Sequence, residues 1–196
     1  MRNIKLPATK TIIFSLSKDE IDSGGIIMPD GLIHKSMGAI DAKSHEELET
    51  ARSNGGAVLW ATSCLEQSLE RIIVNYFMGP FEGPSHKRQL FENEVIKSSS
   101  FPFSFKKLII QNISDSTSVI GGKDRSKLQS GLKKIMLWRN AFAHGQLKLD
   151  SKQGVILCYY SSGHQQKILS DAFWSELEAT FEVCSELAKK LEDGTN

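Results

Sequence analysis

The chain has 196 residues, and its 24 Lys and Arg nearly balance its 23 Asp and Glu to give a net charge of +1. This length suits a single domain that buries about 70% of the surface its unfolded form exposes, and the near-neutral charge argues against a protein that coats nucleic acid. No apolar run is long enough to span a membrane or to form a signal-peptide core, so we expect a cytoplasmic protein with no membrane association.

The first 43 residues differ in pattern from the rest. Short apolar runs separated by Gly and Pro turns at residues 10–40 predict short strands or an irregular arm. We therefore divide the chain into an N-terminal extension over residues 1–43 and a helical domain over residues 44–196. The extension could pack on the helices or mediate an assembly.

The first long helix is predicted from capping and periodicity. Ser44 and Glu47 have the capping-box spacing, which predicts a helix start. Gly55-Gly56 either breaks this helix or marks close packing. Apolar residues then recur at helical spacing over residues 57–77, and Gly79-Pro80 ends the run.

Two helices and a loop are predicted in the middle of the chain. Residues 87–96 favour a short helix, and Ser104 is a plausible cap for a helix to about Ile113, with Leu108 and Ile109 facing inward. Residues 114–124 contain two glycines and predict a loop long enough to move near a site.

The next predicted helix starts near Ser126, and Gly145 fits the position after its C-terminus. Its inward stripe consists of Leu128, Leu132, Ile135, Met136, Arg139 and Phe142. A charged group on such a stripe costs several kcal/mol unless it is compensated. Arg139 therefore either faces a ligand, forms a salt bridge with Glu66 or Glu70, or extends its head to solvent.

A β hairpin is predicted at about residues 154–168, before a last helix capped by Ser170. The inward stripe of that helix consists of Phe173, Leu177, Phe181, Cys184, Ala188 and Leu191. The predicted fold class is mainly α: a bundle of four to five helices with a small β hairpin near the C-terminal helix and a short extended N-terminal arm.

The three cysteines, Cys64, Cys158 and Cys184, are far apart in sequence and odd in number. This pattern predicts buried thiols in a reducing compartment. None of them has metal-ligand spacing to the five histidines, and the chain has no phosphate-cradling GxxxxGK loop. We therefore expect neither a metal nor another cofactor.

Charge is unevenly distributed along the chain. Residues 86–139 contain eleven Lys or Arg and four Asp or Glu, a net charge of +7, whereas residues 170–196 carry a net charge of −5. The positive region could meet a polyanion, or it could represent ordinary solvated helix faces.

At the end of this positive region, the segment Leu137–Gly145 places a cation, an amide and an imidazole within six positions: Arg139, Asn140 and His144. In a helix, Arg139 and His144 would be about 140° apart and roughly 7 to 8 Å apart along the axis, so both could approach one phosphodiester from flanking sides. Arginine binds phosphate oxygens through its forked guanidinium, and an imidazole exchanges a proton near neutral pH. Alternatively, His144 only caps the last helical turn.

This segment matches the Arg-x4-His form of the signature of HEPN domains, and the chain most resembles the mannitol operon repressor family within that superfamily. The resemblance covers roughly residues 46–192. It includes the Gly- and Ala-rich start of a long helix at residues 55–60, a Ser- and Phe-rich stretch at residues 98–106, and the Arg-Asn-x-Phe-Ala-His segment.

The resemblance implies a helical bundle that forms a homodimer in which two copies of the motif meet. It also implies that His144 acts as general base or acid, that Arg139 stabilises charge on the phosphate, and that Asn140 orients the pair or binds phosphate.

Two functions remain open. The first is a metal-independent endoribonuclease, related to toxins or defence, which binds RNA through Lys106, Lys107, Lys133 and Lys134 and is controlled by an antitoxin or regulatory protein. The second is a non-catalytic module for transcriptional regulation or protein interaction. The absence of a helix-turn-helix signature argues against direct reading of DNA sequence. A buried Arg139 paired with a glutamate would favour the second function.

Overall fold

The protein is mainly helical in a computed structural model that describes residues 13–15, 26–27, 33–34, 42–83, 85–150 and 152–195. Its elements are, in chain order, β1 (Ile13–Ser15), β2 (Ile26–Ile27), β3 (Ile33–His34), α1 (Ala42–Met78), α2 (His86–Leu90) followed by a π-helical turn (Phe91–Ile96), α3 (Phe103–Thr117), α4 (Gly122–His144), β4 (Gln146–Asp150), β5 (Gly154–Tyr160), β6 (His164–Ile168) and α5 (Asp171–Asp193).

These elements group into two compact units, each with its own apolar core. The sheet unit comprises the described residues up to Asn54 together with His144–Ser170. The helical unit comprises Gly55–Ala143 and Asp171–Asn196. The predicted boundary after residue 43 falls within the first turn of α1, and the chain before Ala42 is described only in short stretches. The division into an extension and a helical domain therefore stays a prediction.

The core of the helical unit follows from the apolar periodicity of its helices. Residues spaced three or four apart on a helix share one face, and burial of that face provides most of the stability of such helices. Side chains that are less than 2% exposed come from every α-helix of the unit except α2 and from the π-helical turn, among them Leu69, Ile72 and Ile73 of α1, Ile96 of the π-helical turn, Ile110 of α3, Leu128, Leu132 and Ile135 of α4, and Cys184 and Leu191 of α5. The predicted helical bundle is confirmed.

The sheet unit contains an antiparallel sheet of β4, β5 and β6, with β1 pairing parallel to β4. Strands β2 and β3 form a separate antiparallel pair. The predicted hairpin is confirmed as β5 and β6, which are joined by a turn in which Gly163 has a φ of +131°. Strand β4 was not predicted. Its residues Leu147 and Leu149 pack with Leu48 and Ala51 of α1.

Two predicted helix starts are wrong. Helix α1 already begins at Ala42, so Ser44 lies inside it, and the helix continues through Gly55-Gly56 without a break. Helix α3 begins at Phe103, directly after Pro102, so Ser104 is not its cap. Proline suits a helix start because its φ is fixed near the helical value and its missing N–H is not needed there.

The inward face of α3 and the loop after it also differ from the predictions. Ile109 is partly buried against the core as predicted, but Leu108 is 47% exposed, and Ile110 and Ile113 are the buried residues. The connection between α3 and α4 is shorter than the predicted loop at residues 114–124. It has only four residues, because α3 continues to Thr117 and α4 already begins at Gly122. This short connection does not fit the expected mobile loop.

The three thiols differ in environment. Cys184 is buried as predicted, Cys158 is half-buried, and Cys64 is exposed, so the prediction of a buried thiol is wrong for Cys64. Burial raises the pKa of Cys184 to about 11, so this thiol stays protonated and unreactive at neutral pH.

Gly131 of α4 allows a close approach between α4 and α5. A Cβ at this position would overlap with Sγ of Cys184 and would lie 3.5 Å from Cγ2 of Thr180. We expect Gly131→Ala to lower the free energy of unfolding by about 1–3 kcal/mol, although alanine is the better helix former, because the buried Sγ has little room to move. Chemical denaturation measures this change.

A double-mutant cycle separates this overlap from other effects of the substitution. Cys184→Ala removes the sulfur. In a protein that already carries Cys184→Ala, the further substitution Gly131→Ala should therefore cost much less stability than it costs in the wild type. If the two losses simply add, contact with Cys184 is not the reason for glycine at this position.

Candidate functional site

The C-terminal turns of α4 are held in the helical unit by the apolar residues of the predicted motif. Ala141 is 4% exposed, and the ring of Phe142 stacks on Trp174 of α5 with centroids 5.8 Å apart and an interplanar angle of 21°. Trp138 meets Phe173 of α5 edge to face at 5.9 Å. These contacts fix the backbone from which Arg139 and Asn140 project.

Helix α1 contacts the same aromatic group through Gly55. A Cβ on Gly55 would lie 2.9 Å from Cδ1 of Phe142, whereas a Cβ on Gly56 would meet nothing within 4 Å. Of the two readings of Gly55-Gly56, close packing is therefore correct, and it involves Gly55 alone.

The two glycines form a matched pair for an experiment. Gly56→Ala should raise the free energy of unfolding by about 0.5–1 kcal/mol, because alanine loses less conformational entropy than glycine in a helix. Gly55→Ala should fail to give this gain or should destabilise the protein, since Phe142 must shift. Urea denaturation of both variants tests this prediction, and equal gains would contradict it.

Arg139 is exposed, so its predicted place on the buried stripe of α4 is wrong. Its Nη1 donates a hydrogen bond to Oδ1 of Asn140 at 3.1 Å, and Asn140 is also exposed. Arg139 forms no ion pair with any residue that the structure describes. Its exposure fits the alternative in which the charged head extends to solvent, and it leaves the guanidinium free for an anion.

The alternative of a salt bridge from Arg139 to Glu66 or Glu70 is not observed, and Lys106 pairs with both glutamates instead. Lys106 Nζ donates hydrogen bonds to Glu66 Oε1 and Glu70 Oε1, both at 2.6 Å. Burial alone would lower the pKa of Lys106, but the two glutamates outweigh this effect and raise it above its ordinary value of 10.5. Lys106 is only 4% exposed, which does not fit the predicted role in binding RNA.

The other three predicted RNA-binding lysines have different environments. Lys133 is exposed on α4 and forms no ion pair with the described residues. Lys134 is paired with Glu176 of α5 at 2.7 Å, and Lys107 is half-buried on α3. Lys133 and Asn140 are seven residues apart, which places them on one face of α4, about two turns apart. Lys133 is the best placed of the predicted lysines to meet a phosphate beside Asn140.

His144 is the last residue of α4, and Gly145 follows it as predicted. The imidazole is exposed and forms no hydrogen bond or ion pair with the described part of the chain. The alternative in which His144 binds the free carbonyls at the end of the helix is therefore not observed.

Within the described ranges, no group of three or more His, Cys, Asp and Glu is arranged to hold a metal ion. None of the described helices has the length and apolar character to span a membrane.

Sequence reasoning missed the ion-pair triad of Lys106, Glu66 and Glu70. It identified the two glutamates as partners of a buried cation but assigned them to Arg139. The position of Lys106 could have indicated the triad. Lys106 lies four residues before the buried Ile110 on α3 and therefore on the same, buried face of the helix.

Comparisons with protein-family models, with curated proteins and with solved structures gave no match to this chain.

Proposed function

We propose that the protein is a metal-independent endoribonuclease that cleaves RNA through Arg139, Asn140 and His144. The observation that carries this proposal is the exposed guanidinium of Arg139, which is hydrogen-bonded to Asn140 and is not paired with any described carboxylate. A structural role for the motif would instead place Arg139 in a buried ion pair.

The proposed reaction uses the 2′-hydroxyl of the substrate as nucleophile. His144 takes the proton of that hydroxyl, and its oxygen attacks the adjacent phosphorus while the bond to the 5′-oxygen of the next nucleotide breaks. The leaving oxygen receives a proton from a second acid. The products are a 2′,3′-cyclic phosphate and a 5′-hydroxyl. Arg139 stabilises the charge that develops on the phosphate oxygens.

A second copy of the chain would supply the second imidazole. The same face of α4 carries Lys133, Asn140 and, between them, Leu137, which is 41% exposed and offers apolar contact to another protomer. We therefore propose a homodimer in which two such faces meet. The resemblance to HEPN domains supports this arrangement.

The alternative is a non-catalytic module of the mannitol repressor type, in which the same segment serves assembly or regulation. It is supported by large exposed apolar side chains on the helical unit, among them Trp60 at 73%, Phe81 at 69% and Phe77 at 55%. Exposed aromatic residues of this kind are typical of protein-binding surfaces. An antitoxin or a regulatory protein would be the partner.

Cleavage of labelled single-stranded RNA by the purified protein in excess EDTA tests the proposal. We expect cleavage that resists chelation and leaves 2′,3′-cyclic phosphate ends. The matched control is the same RNA with 2′-O-methyl groups, which lacks the nucleophile and should stay intact. Absence of cleavage over a range of RNA sequences would favour the regulatory module instead.

A further inference from the structure

A cavity of about 610 Å³ lies within the helical unit, among α1, α2 with its π-helical turn, and α3. Its volume is within the range of sites that hold small molecules. Its lining is mainly charged, with Val74 and Ile96 as the apolar exceptions.

One side of the cavity is formed by the triad of Lys106, Glu66 and Glu70. The side chain of Lys106 is 6% exposed, and those of Glu66 and Glu70 are 28% and 16% exposed. Lysine uses only Oε1 of each glutamate, and the two Oε2 atoms accept no hydrogen bond from the described residues. The triad therefore has a net charge of −1 and two free acceptors on residues that line the cavity.

A second side of the cavity contains Arg88. This residue donates hydrogen bonds to Glu92 Oε1 at 3.1 Å, to the Gly79 carbonyl oxygen at 2.9 Å and to Asn75 Oδ1 at 2.5 Å. Glu92 and Ile96 belong to the π-helical turn Phe91–Ile96, and both line the cavity. π-Helical turns are rare and occur frequently at functional sites. Arg88 therefore connects the π-helical turn to α1 and to the loop after it.

Positive charge is also present around the cavity. Lys97 is exposed, with only a long contact of 3.5 Å from Nζ to Asn93 Oδ1, and Arg71 is half-exposed and paired with Glu192 at 2.8 Å. The cavity therefore offers anionic acceptors from the triad and cationic donors from Lys97 and Arg71. A ligand with only negative charge would be repelled by the triad, and a ligand with only positive charge would be repelled by Lys97 and Arg71.

We propose that this cavity binds a free α-amino acid. The ammonium group of the ligand would donate hydrogen bonds to the free oxygens of Glu66 and Glu70, and its carboxylate would meet Lys97. This site is separate from the motif on α4 and does not depend on the proposed cleavage of RNA.

Thermal unfolding of the full chain with each of the twenty common amino acids tests the proposal, since a ligand that binds only the folded state raises the melting temperature with concentration. We expect saturable stabilisation by at least one amino acid. Succinate and putrescine, which carry only negative or only positive charges, should have no comparable effect. Stabilisation by none of the amino acids, or equal stabilisation by putrescine, would overturn the proposal.

Variants separate loss of binding from loss of folding. Gln67 is exposed on α1, lines the cavity and forms no hydrogen bond with a described residue, so Gln67→Trp should fill the cavity without unfolding the protein. We expect Gln67→Trp and Lys97→Ala to weaken binding at least tenfold in titration calorimetry. Glu178→Gln, an exposed position outside the cavity lining, should bind like the wild type. Unchanged binding by Gln67→Trp would place the ligand elsewhere.

Discussion

Cleavage of RNA in EDTA by His144→Ala should be slower than wild-type cleavage by a factor of about 10²–10⁴, the usual contribution of a positioned acid or base. Arg139→Ala should lose a factor of about 10²–10³, because the charge that develops on the phosphate is no longer stabilised. Both residues are exposed, so neither substitution removes a buried contact. The measurement is the single-turnover rate, with folding checked by circular dichroism.

Conservative and matched variants sharpen this test. Arg139→Lys keeps the charge but loses the forked geometry, so we expect it to recover only part of the rate. His86→Ala removes another exposed histidine, and Arg125→Ala removes an arginine near the other end of α4 that is paired with Asp115. Both controls should cleave at the wild-type rate. A folded His144→Ala protein with undiminished cleavage would show that the activity lies at another site.

The helices could be predicted from the sequence where one buried face gives a clear helical spacing of apolar residues. The stripe of α5 from Phe173 to Leu191 is buried or partly buried as expected, because burial of a helix face requires apolar residues every three or four positions. The predicted stripe of α1 is buried at Val58, Leu65, Leu69, Ile72 and Ile73, but Tyr76 is 40% exposed. The helix starts at Ser44 and Ser104 were wrong because a hydroxyl residue is only a weak boundary signal. Packing of Leu48 and Ala51 favours a longer α1.

Strand β4 was missed for a related reason. Its five residues, Gln146–Asp150, alternate between apolar and polar, but a strand of this length has little propensity of its own. It forms because β5 pairs with it over its full length and because Leu149 is buried against α1. Neither partner can be deduced from the local sequence.

The residues of the candidate site stay a prediction, and their environments could not be deduced from the sequence. The local segment is sufficient to identify Arg139, Asn140 and His144, and the structure adds that all three are exposed. Whether Arg139 or Lys106 pairs with Glu66 and Glu70 depends on the packing of α3 against α1, which brings together residues 36 and 40 positions apart. The periodicity of apolar residues in the sequence does not distinguish Lys106 from Arg139 as the partner of the two glutamates.

The largest expected effect on stability comes from removal of the cation of the triad. Lys106→Met keeps the volume of the side chain but leaves Glu66 and Glu70 close together without their cation. Removal of one partner of a buried ion pair costs about 3–5 kcal/mol, and we expect the lower part of that range because both carboxylates keep some contact with solvent. Urea denaturation at neutral pH measures the loss.

The neighbouring residue supplies the control, and a combined variant supplies the rescue. Lys107 is half-buried and has no partner among the described residues, so Lys107→Met should change stability by less than about 0.5 kcal/mol. Adding Glu66→Gln and Glu70→Gln to Lys106→Met removes the uncompensated charges and should restore most of the loss. Equal stability of Lys106→Met and Lys107→Met would show that the triad does not stabilise the fold.

The pH dependence of the wild type follows from the same triad. The pKa of Lys106 is raised above 10.5 in the folded protein, so the folded state holds this proton more tightly than the unfolded chain does. The stabilising contribution is therefore complete below about pH 10 and decreases as the pH rises through the folded-state pKa. The Lys106→Met variant lacks this group. We therefore expect the stability difference between wild type and variant to shrink as the pH rises above about 10.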